Sequence, residues 1–113
     1  MLPKINCLTK DKEFNNVFQH GQAGFNKIIG VKAVRNQSDK SRFGIVVSAK
    51  ISKKAVERNK IKRQIREIIR ARLDKIKSGY DIMIISLPDI LGKNYQEIEE
   101  SISRHFKRLG LYK

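Results

Sequence analysis

The segment from Lys50 to Arg72 constrains the fold more than any other part of the sequence, because it carries both a helical apolar stripe and a dense set of cations. It contains ten Lys or Arg residues and only two acids, Glu57 and Glu67. At 3.6 residues per turn, four isoleucines fall within an arc of roughly 100°. We therefore predict a helix from about Lys53 to Lys75 that packs on a core through this stripe. The stripe consists of Ile61, Ile65, Ile68 and Ile69.

A second face of this predicted helix is cationic. Five cations and Asn59 fall within an arc of about 140°, displaced to one side of the stripe. Asn59 can donate and accept hydrogen bonds, so it can position a phosphate, a sugar hydroxyl or a metal-bound water. A third face, with Glu57, Lys60, Gln64 and Glu67, has the mixed character of a solvated surface. The residues predicted to bind a polyanion are Arg58, Asn59, Lys62, Arg63, Arg66 and Arg70 on the arc, with Lys50, Lys53, Lys54 and Lys60 near it.

The charge of the whole chain also favours a polyanionic partner. With 113 residues, 40% of them hydrophobic, the sequence predicts a single domain, residues 1–113, with a modest core. Its 25 basic and 11 acidic residues give a net charge of +14, which destabilises a compact monomer unless a polyanion or salt screens it. A solubilising surface or a thermophile-like abundance of lysine is the alternative, but the clustering favours nucleic acid. A membrane surface is disfavoured, because the basic helix is polar over most of its circumference and lacks Trp.

Cysteine usage and the absence of long apolar runs bear on the cellular environment. Cys7 is the only cysteine, which excludes an internal disulfide and a cysteine-based zinc cluster. No apolar run approaches 18 residues, and the N-terminus has no signal-peptide pattern. We therefore expect a reducing, cytoplasmic environment, and no obligate protein partner is evident.

Periodicity and capping residues predict two further helices. The first follows Thr9 as its N-cap and ends at Gly21. The last is capped by Asn94 and stops at Gly110. Its predicted buried stripe consists of Ile98, Ile102, Phe106 and Leu109.

Three strands complete the predicted fold. Residues 26–34 and 42–48 are predicted to form an antiparallel hairpin through the polar segment 36–40. Residues 80–87 are the most apolar strand and are predicted to be central. The sequence thus predicts an α+β fold, a single sheet with helices, in the order α-β-β-α-β-α.

No catalytic or metal-binding cluster is predicted. The acids are scattered, whereas two-metal phosphodiester cleavage needs carboxylates that converge on one point. His20 precedes a helix-ending glycine, and His105 lies late in the last helix, where a cation suits the dipole. Phe14 and Phe18 share a helical face, and spacing alone favours a core role for both. Aromatic faces beside cations are, however, also what single-stranded nucleic acid binding uses.

The run ERNKIKRQIRE, residues 57–67, resembles the Arg-Asn-Arg signature helix of the bacterial ribonuclease P protein component. The resemblance covers nearly the whole chain, through LTKDKEFNNVFQHG, RFGIVVSAK and YDIMIIS. Two residues depart from the family pattern. Lys60 stands where the signature usually has its second Arg, which keeps the charge but loses a bidentate fork. Lys32 occupies a place where relatives often carry an aromatic residue.

The resemblance implies a subunit of a ribonucleoprotein endonuclease, ribonuclease P, which removes the 5′ leader from precursor tRNA. The expected partners are the catalytic RNA, which would hold the catalytic Mg²⁺, and precursor tRNA. The basic helix would contact RNA, and a cleft lined by the first helix and the sheet would bind the leader. The family fold also implies a left-handed β-α-β crossover around the basic helix, a hand found in about 2% of such connections. The leader-cleft residues implied in this way are Phe14, Phe18, Lys32 and Ser48.

Two other functions remain open from the sequence. A stand-alone RNA-binding protein of the ribosomal type is favoured equally by composition. A protein-only nuclease is disfavoured, because the acids of this chain form no cluster.

Overall fold

A four-stranded mixed sheet organises residues 3–113, which are the part of the chain that the computed structural model describes. The α+β class and the single sheet are confirmed, but the order contains one strand more than predicted. In chain order the elements are helix α1 (Asp11–His20), strands β1 (Gln22–Phe25), β2 (Ile29–Arg35) and β3 (Arg42–Val46), helix α2 (Ala55–Ala71), strand β4 (Tyr80–Ser86) and helix α3 (Tyr95–Arg108). Short 3₁₀ turns lie at Lys4–Asn6, Leu73–Lys75 and Pro88–Ile90.

Strand β1 was not predicted, and the predicted start of β2 at Asn26 was wrong. Strand β1 reads Gln-Ala-Gly-Phe, in which only the phenylalanine favours a strand. Asn26 lies in the turn between β1 and β2, where its side-chain oxygen accepts hydrogen bonds from the backbone N–H groups of Ile28 and Ile29, both at 2.8 Å. The turn therefore closes an antiparallel hairpin of β1 with β2.

The predicted antiparallel hairpin of residues 26–34 with 42–48 was also wrong, because β2 and β3 do not pair. Strand β4 lies between them, antiparallel to β2 and parallel to β3, so the strand order is β1-β2-β4-β3. Strand β4 is apolar and mostly buried along its length, and β2 and β3 cover its two edges. The prediction that this strand is central is confirmed.

Helix α2 connects the parallel neighbours β3 and β4, so the β-α-β crossover around the basic helix is present. Its predicted stripe of four isoleucines is buried, and it packs with α3 and one face of the sheet in the main core. The helix is shorter than predicted, because a 3₁₀ turn at Leu73–Lys75 replaces its last turn. The left-handedness of the crossover stays a prediction.

The ends of α3 confirm the capping prediction. The Asn94 side chain accepts a hydrogen bond from the backbone N–H of Glu97 at 2.9 Å, and the Glu97 carboxylate accepts one from the N–H of Asn94 at 3.3 Å. Gly110 has a φ of +70°, which suits the residue after a helix. Ile98, Ile102 and Phe106 are fully buried, whereas Leu109 is only partly buried.

Helix α1 begins one residue later than predicted, with Lys10 instead of Thr9 at the N-cap. The Glu13 carboxylate accepts hydrogen bonds from the backbone N–H groups of Thr9 at 3.3 Å and Lys10 at 3.2 Å. Thr9 therefore contributes its backbone N–H instead of a capping side chain. The carboxylate of Glu13 in the first turn accepts from the N–H groups at the N-terminal end of α1.

One ion-pair network fastens α1 to the sheet. The guanidinium of Arg42 on β3 binds the buried carboxylate of Asp81 on β4 through two hydrogen bonds, of 2.8 and 2.7 Å, and also contacts Glu13 on α1. Asn36 donates a further hydrogen bond of 2.8 Å to Asp81. Burial acts to raise the pKa of Glu13, but its backbone donors and Arg42 together lower it. The ionised form of Glu13 therefore stabilises the folded state.

This network predicts a specific loss of stability in acid. A carboxyl group with a lowered pKa in the folded state contributes stability above its unfolded pKa, and this contribution is lost as the pH falls through the folded pKa. We expect the melting temperature to fall below about pH 4, in the range where glutamate titrates. We expect Glu13→Gln to be less stable than the parent at neutral pH and to lose less on acidification. Thermal melts across this pH range measure both effects.

The matched control is Glu100→Gln. Glu100 is exposed on α3 and forms no ion pair within residues 3–113. Its replacement should leave the pH profile of the melting temperature unchanged. Parallel profiles for Glu13→Gln and the parent would contradict a stabilising role for the Glu13 carboxylate.

Candidate nucleic-acid interface

The outer side of α2 divides into two faces, which lie in different grooves. Asn59, Arg63 and Arg66 are exposed and line one groove of about 380 Å³ together with Glu67. Among the described residues, no carboxylate pairs with Arg63 or Arg66. Their guanidinium groups are therefore available to a phosphate, and the Asn59 amide lies between them and the start of the helix. We call this set, together with Lys62, the cationic face.

Two of the predicted arginines make contacts within the protein. Arg58 is half-buried, and its Nη1 donates a hydrogen bond of 2.7 Å to the carbonyl oxygen of Ser52 in the segment before α2. Arg70 pairs with Glu67 at 3.0 Å, and this hydrogen bond lowers the pKa of Glu67. Arg58 thus fixes the segment that precedes α2. The charge of Arg70 is partly offset by the carboxylate of Glu67.

Lys60 does not lie with the cationic face. With Gln64 and Ile61 it lines a separate groove of about 570 Å³, which the 90–95 segment closes on its other side. The structure therefore does not bring Lys60 together with the other residues of α2 that were predicted to bind RNA. Lys50, Lys53 and Lys54 are exposed in the segment that leads into α2 and extend the positive charge beyond its N-terminal end.

A second candidate surface lies on the side of the sheet opposite α2 and α3. Paired residues of neighbouring strands share a face, as do residues two apart in one strand. The register places Lys32 of β2 beside Met83 of β4, and Met83 beside Gly44 of β3. Helix α1 covers part of this face through Val17, which is fully buried. We call the uncovered part the sheet cleft.

The two predicted aromatic residues of the cleft differ in their surroundings. Phe14 is half-buried, and its ring lies on Gly44, where an added Cβ would overlap it. Phe18 is 59% exposed at the edge of the cleft. Phe14 therefore joins α1 to the sheet, whereas Phe18 offers an accessible ring.

Lys32 contacts Phe18 directly. Its ammonium nitrogen lies 3.8 Å from the centre of the Phe18 ring and donates a hydrogen bond of 3.1 Å to the Phe18 carbonyl oxygen. This cation–π contact brings a positive charge and an aromatic ring to one point of the cleft. Ser48 is exposed two residues past the end of β3, and among the described residues it forms no hydrogen bond with this pair.

The sequence reasoning missed Phe25. It is 49% exposed at the end of β1, and it pairs with Gly30 on the cleft side of the sheet. Its signal was obscured because β1 itself was not predicted. A lone phenylalanine directly before the turn asparagine Asn26, with a glycine beyond the turn, was the available cue.

The two histidines lie in different surroundings. His105 is buried, and its Nε2 lies 3.1 Å from the carbonyl oxygen of Ile29. Burial lowers the pKa of His105, and the nearby Arg108 and Arg104 act in the same direction. His20 lies at the exposed end of α1. Within residues 3–113, no three His, Cys, Asp or Glu side chains are grouped so as to hold a metal ion, and no helix has the length and apolarity to cross a membrane.

Comparisons with known proteins give one consistent family. The family model described as ribonuclease P matches residues 2–110. The ribonuclease P protein component of Synechocystis sp. is 39% identical over 97% of this chain and 90% of its own length. That of Clostridioides difficile is 40% identical over 92% of this chain and 91% of its own length.

Solved structures agree with the sequence comparisons. A Staphylococcus aureus RNase P protein structure superposes with a TM-score of 0.88 at 28% identity, covering 96% of this chain and 98% of its own. The RNase P protein from Thermotoga maritima superposes with a TM-score of 0.81 at 32% identity, covering 90% of this chain and 96% of its own.

The two faces of α2 should differ in their effect on RNA binding. Each lost phosphate contact should reduce the slope of log affinity against log salt by about 0.7 to 0.9. We expect Arg63→Ala and Arg66→Ala each to produce this change in titrations of the protein with structured RNA over a range of salt. Lys60→Ala is the control, because it removes one charge from the same helix but from the other groove. Equal slope changes for all three variants would contradict a directed surface.

Proposed function

Because this chain belongs to the bacterial ribonuclease P protein family, we propose that its two surfaces bind two different RNA segments of the reaction complex. The chain is a subunit of ribonuclease P, the ribonucleoprotein endoribonuclease that forms the 5′ end of tRNA, and the RNA subunit carries catalysis. In the proposal, the cationic face of α2 contacts the catalytic RNA and the sheet cleft binds the single-stranded 5′ leader of precursor tRNA. The observation that carries this division is the position of the two surfaces on opposite sides of the sheet.

The electrostatics of the cationic face suit a folded RNA. Arg63 and Arg66 can contact phosphates as bidentate donors, whereas Lys62 acts as a point charge. Asn59 adds a neutral donor and acceptor among them, which can fix a sugar hydroxyl or a metal-bound water. Phosphate contacts of this kind orient a protein on RNA without reading its sequence. A surface of this chemistry supports docking on a constant partner, such as the catalytic RNA.

The chemistry of the sheet cleft suits an unpaired strand. Every base offers a π-face, so the exposed Phe18 ring can stack with any leader nucleotide. Lys32 lies within reach of the same nucleotide's phosphate. In this proposal the half-buried Phe14 mainly packs on the floor of the cleft and contributes less to RNA contact. Ser48 would extend the cleft beyond the end of β3.

Mg²⁺ belongs to the RNA in this proposal. The described residues offer no closed set of carboxylate or histidine ligands for it, and the acids near the cationic face are engaged in pairs. The protein's part is to bind and orient RNA where the ion works. Because the proposed substrate is precursor tRNA, we also expect the protein to act in the cytoplasm.

Reconstitution tests the proposal against its two alternatives. The purified protein is incubated with precursor tRNA, with and without the catalytic RNA, at limiting Mg²⁺. We expect leader removal only when protein and catalytic RNA are combined. Cleavage by the protein alone would indicate a protein-only nuclease. Binding to structured RNA with no effect on leader removal would favour a stand-alone RNA-binding protein of the ribosomal type.

Phe18 provides a test of the leader cleft. Stacking is worth roughly 1–3 kcal/mol per base, whereas a core Phe cut to Ala costs about 3–5 kcal/mol of stability. Because Phe18 is exposed, we expect Phe18→Ala in the assembled enzyme to lower affinity for leader-bearing precursor while affinity for mature tRNA and the melting temperature stay close to the parent.

Val17→Ala is the matched control for Phe18→Ala. Val17 is the neighbouring residue of α1 and is fully buried against Met83 and Leu8. Its truncation should lower the melting temperature without a selective loss of leader affinity. If Phe18→Ala also lowers the melting temperature strongly, or weakens both tRNA forms alike, Phe18 is a packing residue and the cleft assignment is wrong.

A further inference from the structure

Phe25 is a large apolar side chain that the two core clusters of the described residues do not include. It is 49% exposed on strand β1, at the edge of the sheet. Exposed aromatic rings are costly to leave in water, and a ring this exposed contributes little to the core. Its position therefore calls for an explanation other than core packing.

Gly30 provides the surface on which this ring lies. The two residues are directly paired across β1 and β2, and a Cβ added at Gly30 would overlap the Phe25 ring. A glycine inside a strand weakens it and often marks a site where another group approaches closely. Here the approaching group is the ring itself, which lies against backbone on one side and reaches solvent elsewhere.

Phe25 lies on the same side of the sheet as Lys32. Gly30 and Lys32 are two residues apart on β2 and therefore share a face, separated by about 7 Å along the strand. Lys32 in turn contacts Phe18. The cleft thus contains a ring, a cation and a second ring in sequence across α1, β2 and β1. Aromatic rings alternating with positive charge are the arrangement that binds successive bases and phosphates of a single strand.

We propose that Phe25, seated on Gly30, is a second stacking platform for a base of the 5′ leader, on the other side of Lys32 from Phe18. The inference rests on the proposed leader cleft and extends it to the outer strand of the sheet. It assigns Lys32 to the phosphate between two stacked bases. The number of leader nucleotides that the protein holds then exceeds what α1 alone can contact.

A purely structural role for Phe25 makes a different prediction. An aromatic ring over a strand glycine can shield the backbone and stabilise the pairing of two strands. In that case the loss of the ring would lower stability and leave leader recognition unchanged. The two roles are separated by measuring affinity as a function of leader length alongside the melting temperature.

The experiment uses the enzyme assembled with catalytic RNA and a series of precursor tRNAs whose leader is lengthened one nucleotide at a time. For the parent, affinity should rise in steps as the leader reaches each platform. Phe25→Ala should remove one step, with a loss of roughly 5- to 150-fold for leaders long enough to reach it and none for mature tRNA. Phe18→Ala should remove a different step. Phe25→Tyr, which keeps a ring, should keep both.

Two further variants test the assignment of Phe25 independently. Gly30→Ala retains the phenylalanine but must displace its ring, so it should reproduce the loss at the same leader length. Leu91→Ala removes an exposed apolar side chain of similar exposure, 43%, from the groove that also contains Lys60, and should change no step.

The outcomes separate the inference from the function on which it rests. If Phe25→Ala only lowers the melting temperature, or weakens all leader lengths and mature tRNA alike, the ring is structural and the inference is overturned. If the parent enzyme itself shows no dependence on leader length, the proposed leader cleft fails and Phe25 fails with it. Failure of the parent to process precursor tRNA in reconstitution would instead overturn the proposed function as a whole.

Discussion

Strand β4 sets the constraint on which the rest of the molecule depends. It is buried between β2 and β3, so both of its edges and both of its faces must be covered. Helices α2 and α3 pack on one face in the larger core cluster, whereas the single helix α1 covers part of the other. The Arg42 network holds α1 in place over that part. The sheet cleft is therefore the part of this face that α1 leaves uncovered.

Local patterns were sufficient for the helices. The isoleucine spacing of α2 and the Asn94 cap of α3 depend on residues within a few positions of each other, and both were predicted. The arrangement of the strands depends on contacts between distant residues. Nothing in the polar segment 36–40 distinguishes a hairpin from a passage across the end of β4. The sequence therefore predicted three of the four strands near their observed positions, but it missed β1 and paired β2 with the wrong strand.

The candidate site follows the same division. The cationic face of α2 could be predicted because one helix generates it, although only the fold revealed that Arg58 holds Ser52 and that Lys60 lines another groove. The cleft joins separate elements, and the residues predicted for it, Phe14, Phe18, Lys32 and Ser48, were reached through family resemblance. Phe25 was missed because its placement depends on a glycine in the neighbouring strand, and pairing of that kind cannot be read from spacing.

The connection made by α2 has a consequence for how the protein can act. The helix connects β3 to β4, so each end of α2 is joined covalently to a strand of the sheet through a connection of about eight residues. Neither surface has to be assembled when RNA arrives, and little conformational entropy is lost in bringing them into register. The angle between two bound RNA segments is then a property of the protein backbone. If both surfaces bind RNA as proposed, the protein backbone sets the position of the leader relative to the catalytic RNA.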